Sequence, residues 1–137
     1  MIDNNLLQAA LISKANSSSG IQTYLSSGTV LEYNWQGVDV ALPAARLQIE
    51  SQSDISELNV SCPSQVDFSW YVFSEKQSSK ECNQIAGSFV SAFRGISFEK
   101  NGIKFVRVRI TENIPAIRED ERTWRAQVRC QSIIHLA

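Results

Sequence analysis

Apolar and polar positions alternate most strongly in the last third of the chain. Val106, Val108 and Ile110 fall on one side of an alternating run, with Arg107 and Arg109 on the other. A second run sets Trp124, Ala126, Val128, Cys130 and Ile134 against Arg125, Gln127, Arg129 and Gln131. Side chains alternate faces along a strand, so each run predicts one buried and one open face. If the two strands pair, Arg107, Arg109, Arg125 and Arg129 share an open surface. Between the runs, Thr111 to Thr123 holds one proline and six charged residues. It is expected to be an exposed connection longer than a tight turn, a length at which loops often carry function.

Upstream, Ile2, Leu6, Leu7, Ala10 and Leu11 recur at helical spacing and predict a short amphipathic helix over residues 3–15, capped by Asp3 or Asn4. Asn16-Ser-Ser-Ser-Gly20 should end it. Ile21 to Leu25 fits no single pattern, and Val30 to Trp35 reads as a short strand broken at Gly37. Ala45, Leu47 and Ile49 alternate with Arg46, Gln48 and Glu50 in a half-buried strand after Pro43. Ser51 to Ser61 is polar and reads as a loop or hairpin connection.

Gln65 to Phe73 is the most strand-like run, with Val66, Phe68, Trp70 and Val72 on one face. Asp67, Ser69, Tyr71 and Phe73 occupy the other, whose aromatics suggest partial cover. Ser78-Ser-Lys-Glu81 fits a capping box opening a helix whose stripe is Cys82, Ile85, Ala86, Phe89, Val90 and Phe93. Gly95 is placed to close that helix in a left-handed conformation. Asn101-Gly102 then signals a two-residue hairpin joining Ile96–Glu99 to Ile103–Ile110.

Composition adds exclusions. At 137 residues the chain is expected to form one domain over residues 1–137, able to bury roughly two-thirds of its unfolded surface. A net charge of −1 argues against a dedicated non-specific DNA binder but leaves a local basic face possible. Cys62, Cys82 and Cys130 are far apart and His135 is the only histidine, so a four-ligand zinc site is not expected. The cysteines read as reduced, partly buried thiols of a cytosolic product. No secretion signal is expected, and no apolar stretch approaches the roughly 20 residues of a membrane helix.

Chemistry-bearing combinations are sparse. Cys130 and His135 lie five apart on one predicted strand, hence on opposite faces, which disfavours a nucleophile–base pair. Glu119, Asp120 and Glu121, between Arg118 and Arg122, could ligate a divalent metal, form a solvated charge run, or serve as a docking arm to another subunit. Phosphate-loop, dinucleotide, serine-hydrolase and metalloprotease motifs are missing from the sequence, so neither an enzyme nor a cofactor is expected.

The order of elements carries a resemblance. A helix near Leu6–Ala15 precedes the post-proline strand Pro43-Ala-Ala-Arg-Leu-Gln-Ile49. An aromatic strand then leads straight into a helix, Val66–Phe73 and Ser78–Phe93. Phe105–Ile110, the charged run Arg118-Glu-Asp-Glu-Arg122 and the strand Trp124-Arg-Ala-Gln-Val-Arg-Cys130 follow. Over nearly its whole length this resembles the tail terminator (tail completion) proteins of long-tailed bacteriophages, of the lambda type. The resemblance implies an α/β (α+β) fold, a mixed or mostly antiparallel sheet with two helices packed on one face. It also implies a hexameric ring that caps the tail tube, stops its polymerisation and presents a surface to the head-tail connector. The expected location is the head-proximal end of the virion tail, after assembly in the host cytoplasm. Expected partners are the chain itself, the tail tube protein and the connector, with no membrane and no specific nucleic acid. Arg107, Arg109, Arg118, Glu119, Asp120, Glu121, Arg122, Arg125 and Arg129 are then the candidate interface residues. Another phage neck or head-tail connector protein, or a small nucleic-acid-binding module using the arginine face, are the alternatives.

Overall fold

The aromatic run forms the spine of the molecule. In the computed structural model, which describes residues 2–25, 30–32, 42–55 and 63–136, it becomes strand β3 (Ser64–Ser74). Val66, Phe68, Trp70 and Val72 are all fully buried, as the alternation predicts. The other described strands are β1 (Leu31–Glu32), β2 (Ala44–Asp54), β4 (Phe98–Lys100), β5 (Ile103–Arg118) and β6 (Trp124–Leu136). They form a six-stranded sheet in the order β1-β2-β3-β6-β5-β4. The β1–β2 pairing is parallel and the rest are antiparallel. This is the α+β architecture expected. The Val30–Trp35 run is described only as far as Glu32, and Gly37 and Cys62 lie outside the described residues.

Helix α1 (Asn4–Asn16) starts where Asp3 caps it, the Asp3 carboxylate accepting the Asn5 N–H at 2.7 Å. Leu7, Ala10, Leu11 and Ala15 are buried. Leu6, expected on that apolar face, is instead 54% exposed, because the buried positions step from 7 through 10 and 11 to 15 and leave residue 6 outside that stripe. The serine-rich stretch ends α1 but does not stay irregular. Ser18 caps a four-residue turn of helix, α2 (Ser19–Gln22), which buries Ile21. The described residues thus hold three helices where two were expected.

Helix α3 (Lys80–Phe93) packs Cys82, Ile85, Ala86, Phe89 and Phe93 onto the sheet. Trp70 lies 4.9 Å from Phe89 and 5.0 Å from Phe93 between ring centroids. The capping box does not form. Ser79 occupies the cap position and makes no side-chain capping bond, while the Glu81 carboxylate accepts the Ser74 hydroxyl at 2.8 Å. The end of β3 claims Glu81, so a tertiary bond wins over the local one. Gly95 closes α3 at φ +71, as its position predicts.

Asn101 and Gly102 take φ values of 54 and 77, the two positive values that a tight hairpin needs. β4 and the start of β5 pair across them. Phe98 and Phe105 stack at 4.6 Å, with the Lys14 ammonium over Phe98.

Beyond Phe105 the structure departs from the sequence pattern. β5 has 16 residues against 13 in β6, and its register slips three times, near Arg107, Thr111 and Pro115. At the first slip Val106 faces Ile133 and Arg109 faces Gln131, so Arg107 and Val108 together oppose Ser132. An extra residue in one strand reverses the side-chain phase. Val106 therefore turns to the open face and is 37% exposed, whereas Val108 is fully buried. The expected grouping of Val106 with Val108 and Ile110 fails for that reason.

The expected loop from Thr111 is likewise strand as far as Arg118. Only residues 119–123 turn, closed by the Glu119 N–H donating to the Thr123 carbonyl at 2.9 Å. β2 also runs further than expected, to Asp54, with one slip between Ile49 and Ser51 that sets Glu50 off the regular pairing.

Candidate functional site

Residues directly opposite in an antiparallel pair point to the same side, so the register maps the open face row by row. One row runs Glu112–Arg129–Ser69–Gln48, the next Arg109–Gln131–Asp67–Ser51, and another Ile114–Gln127–Tyr71–Arg46. Arg125 faces Ile117 and Phe73 at the tip end. The alternation in β6 is thereby met: Ala126, Val128, Cys130 and Ile134 are buried, and Arg125, Gln127, Arg129 and Gln131 lie on the other side.

The expected arginine surface is divided in use. Arg129 donates to Glu112 at 2.8 Å and to Glu50 at 3.0 Å. These charge-assisted bonds hold its guanidinium pKa above the ordinary value, the bond to Glu50 counting most. Glu50 also accepts the Ser69 hydroxyl, and Gln127 donates to that hydroxyl oxygen at 3.1 Å. Gln131 and Ser51 both donate to Asp67, at 3.0 Å each. The centre of the open face is therefore a hydrogen-bonded network that holds one arginine and three carboxylates, Glu50, Glu112 and Asp67, not a free basic patch.

At the hairpin tip, Arg125 pairs with Glu119 at 3.4 Å and stands 5.7 Å over the Tyr71 ring. Arg118 lies 5.0 Å over the Trp124 ring and donates to the Glu121 carbonyl. Asp120 accepts the backbone N–H groups of Arg122 (2.8 Å) and Thr123 (2.9 Å). The bond from the Arg122 N–H is the main cause of its lowered carboxyl pKa. The Glu119 and Asp120 carboxylates are thus spent on local bonds, and among the described residues no group of three His, Cys, Asp or Glu side chains is arranged to hold a metal. Ile117, opposite Arg125 beside this tip, is 49% exposed.

Arg107 and Arg109 stand apart from the network. Arg107 occupies the first bulge at φ 45, and among the described residues neither forms an ion pair. The sequence pattern placed Arg107, Arg109, Arg125 and Arg129 on one face; the register keeps Arg109, Arg125 and Arg129 there, while Arg107 sits in the bulge.

Cys130 and His135 cannot cooperate. Cys130 is buried in the core, where burial pushes its thiol pKa up to about 12, while His135 faces Lys104 on the other side of the sheet. Glu50, Asp67 and Glu112 were not singled out from the sequence. Glu50 and Asp67 held only a polar place in an alternating run and Glu112 fell in the expected connection, and neither says which strand they will face.

No protein-family profile matches the chain, and no curated protein sequence matches it. Solved structures do. One chain of a structure described as the virion of a native gene transfer agent (GTA) particle superposes with a TM-score of 0.78 at 16% identity, covering 96% of both chains. A second solved protein superposes with a TM-score of 0.68 at 13% identity over 100% of this chain and 99% of its own. At such identities the likeness is one of fold, shared from end to end.

Proposed function

We propose that this chain is a structural protein of a phage-like virion, with residues 1–137 acting as one domain that assembles into a ring. In this reading the ring caps the tail tube, ends its polymerisation and offers a surface to the head-tail connector. It is a binding role at the head-proximal end of the tail, reached after assembly in the host cytoplasm. The observation that carries it is the end-to-end likeness, at a TM-score of 0.78, to a chain of a gene transfer agent virion. The element order that resembles lambda-type tail terminators points the same way. A ring uses two different patches on each subunit. The hairpin tip from Arg118 to Arg122, with Ile117 and Arg125 beside it, projects from the sheet and suits one of them.

Light scattering across protein concentration tests the ring, and tube length in a polymerisation reaction tests the cap. A hexameric mass, together with tubes that stop growing when the protein is added, is the expected result. A mass that stays monomeric with tube growth unchanged overturns the proposal. Capture by portal or connector protein with no effect on tubes would assign the chain to a different neck position.

A further inference from the structure

The first bulge of β5 holds an arginine where the backbone favours glycine. Arg107 takes φ 45, and the two-versus-one bulge around it is of the kind whose left-handed position is ordinarily glycine. The bulge is fixed from three directions. Ser97 Oγ accepts the Arg107 N–H at 2.8 Å, the Ile96 carbonyl accepts the Val108 N–H at 2.8 Å, and the Gly95 N–H donates to the Val108 carbonyl at 2.8 Å. These bonds bring the end of α3 against β5, so that Arg94, Arg107 and Arg109 rim one shallow depression floored by Gly95, Val108 and Ile110. All three arginines are exposed, and among the described residues none has a carboxylate within ion-pair distance. Arg125 and Arg129, by contrast, are paired to carboxylates within the chain.

The depression opens onto a free strand edge. β4 covers β5 only from Ile103 to Phe105, and Val108 is the last residue whose outward backbone groups are taken there. Backbone groups alternate sides along a strand, so Ile110 presents the next outward N–H and C=O. Among the described residues no strand pairs with this edge, and the next bond on it is from the Ala116 N–H to Asn83 Oδ1 of α3 at 2.9 Å.

We infer that Arg94, Arg107 and Arg109, with the adjoining edge of β5, form a docking surface for an extended acidic peptide segment of a partner protein. Its backbone adds to the sheet from Ile110 onward, and its carboxylates meet the three guanidiniums. Strain at Arg107 is the cost of aiming a cation into the groove. Two observations favour a peptide over nucleic acid: no aromatic ring lines the depression for base stacking, and the whole chain carries a net charge of −1. The inference rests on local geometry and stands or falls separately from the tube-capping reading.

The test uses the full chain and three fluorescent probes: a short peptide alternating Glu with Val, the same peptide with Lys for Glu, and single-stranded DNA of similar length. Binding is read by anisotropy at low ionic strength. The acidic peptide is expected to bind, the lysine peptide not to, and the DNA to bind more weakly. Arg107→Gly is the decisive variant, because glycine suits the backbone while removing the cation. It should weaken the acidic peptide by about tenfold or more with an unchanged or higher Tm. Methylating alternate backbone nitrogens of the peptide should weaken binding as well. Equal affinity of Arg107→Gly and the parent protein, or tighter binding of DNA than of the acidic peptide, overturns the proposal. If Arg107→Gly lowers Tm, the Arg94→Ala and Arg109→Ala pair replaces it, and unchanged peptide affinity in that pair overturns the proposal equally.

Discussion

Arg129 reaches across strand positions that no local pattern connects, holding Glu112 on its neighbour β5 and Glu50 on β2 beyond β3. Its reversal to glutamate would set three carboxylates side by side. Arg129→Glu is therefore expected to lower Tm, and the effect should shrink when Glu50 is changed to glutamine in the same chain. In the core, Phe89 sits fully buried against Trp70 and Phe93. Phe89→Ala should cost about 3 kcal/mol in urea unfolding, through lost burial and the cavity left behind. The thiols of Cys82 and Cys130 are pushed up to about 11 and about 12, in each case chiefly by burial. A thiol whose folded pKa is raised stays protonated in the folded chain while the unfolded chain ionises. The associated stability is fully present below the ordinary thiol pKa of 9.0 and is lost as pH rises from there toward 11 and 12. Denaturation midpoints compared at neutral and alkaline pH should show that loss, and Cys82→Ala with Cys130→Ala should reduce it.

At the level of elements, the β5–β6 hairpin shows how bulges and a tip turn reorganise a predicted loop. Three extra residues in β5 let a strand continue where charge and Pro115 suggested irregular chain. Pro115 is tolerated because it falls in the third slip, where the regular ladder is already interrupted. The tip depends on Asp120. Its depressed pKa means that the tip's order is present above the ordinary carboxylate range and is lost as pH falls through the folded value. Asp120→Ala should raise hydrogen exchange at the Arg122 and Thr123 amides at neutral pH while leaving α3 protected, and the parent protein should show the same local loosening in acid. The α3 cap is the converse case. Ser78 and Glu81 have the right spacing for a capping box, but Glu81 turns to Ser74 of β3.

For the whole molecule, the proposed ring places demands on surfaces rather than on the core. Arg122 and Arg125 lie at or beside the projecting tip, and Arg125 has only the exposed Glu119 as its ion-pair partner among the described residues. Exposed pairs of this kind add little to stability. Arg122→Glu with Arg125→Glu should therefore leave near-ultraviolet circular dichroism unchanged and shift the light-scattering mass toward monomer. An unchanged mass would remove the tip from the subunit interface.

The sequence by itself determined the elements whose cause is local. Alternation set β3 and β6 and their buried faces, the apolar stripe set α3, Asp3 set the start of α1, and Asn101-Gly102 set the turn between β4 and β5. It also determined the α+β class, since long alternating runs around one strong helix leave few other packings. Only the tertiary structure decided the rest. Whether Val106 faces solvent or core depends on one extra residue in a bulge held by Ser97, Ile96 and Gly95, which are remote from it in sequence. Which arginines are free depends on where Glu50 and Glu112 arrive across three strands. Periodicity reports burial one strand at a time, whereas register, bulges and ion pairing are properties of strands meeting, and these separate the open face into a carboxylate-rich network around Arg129 and an unpaired arginine edge.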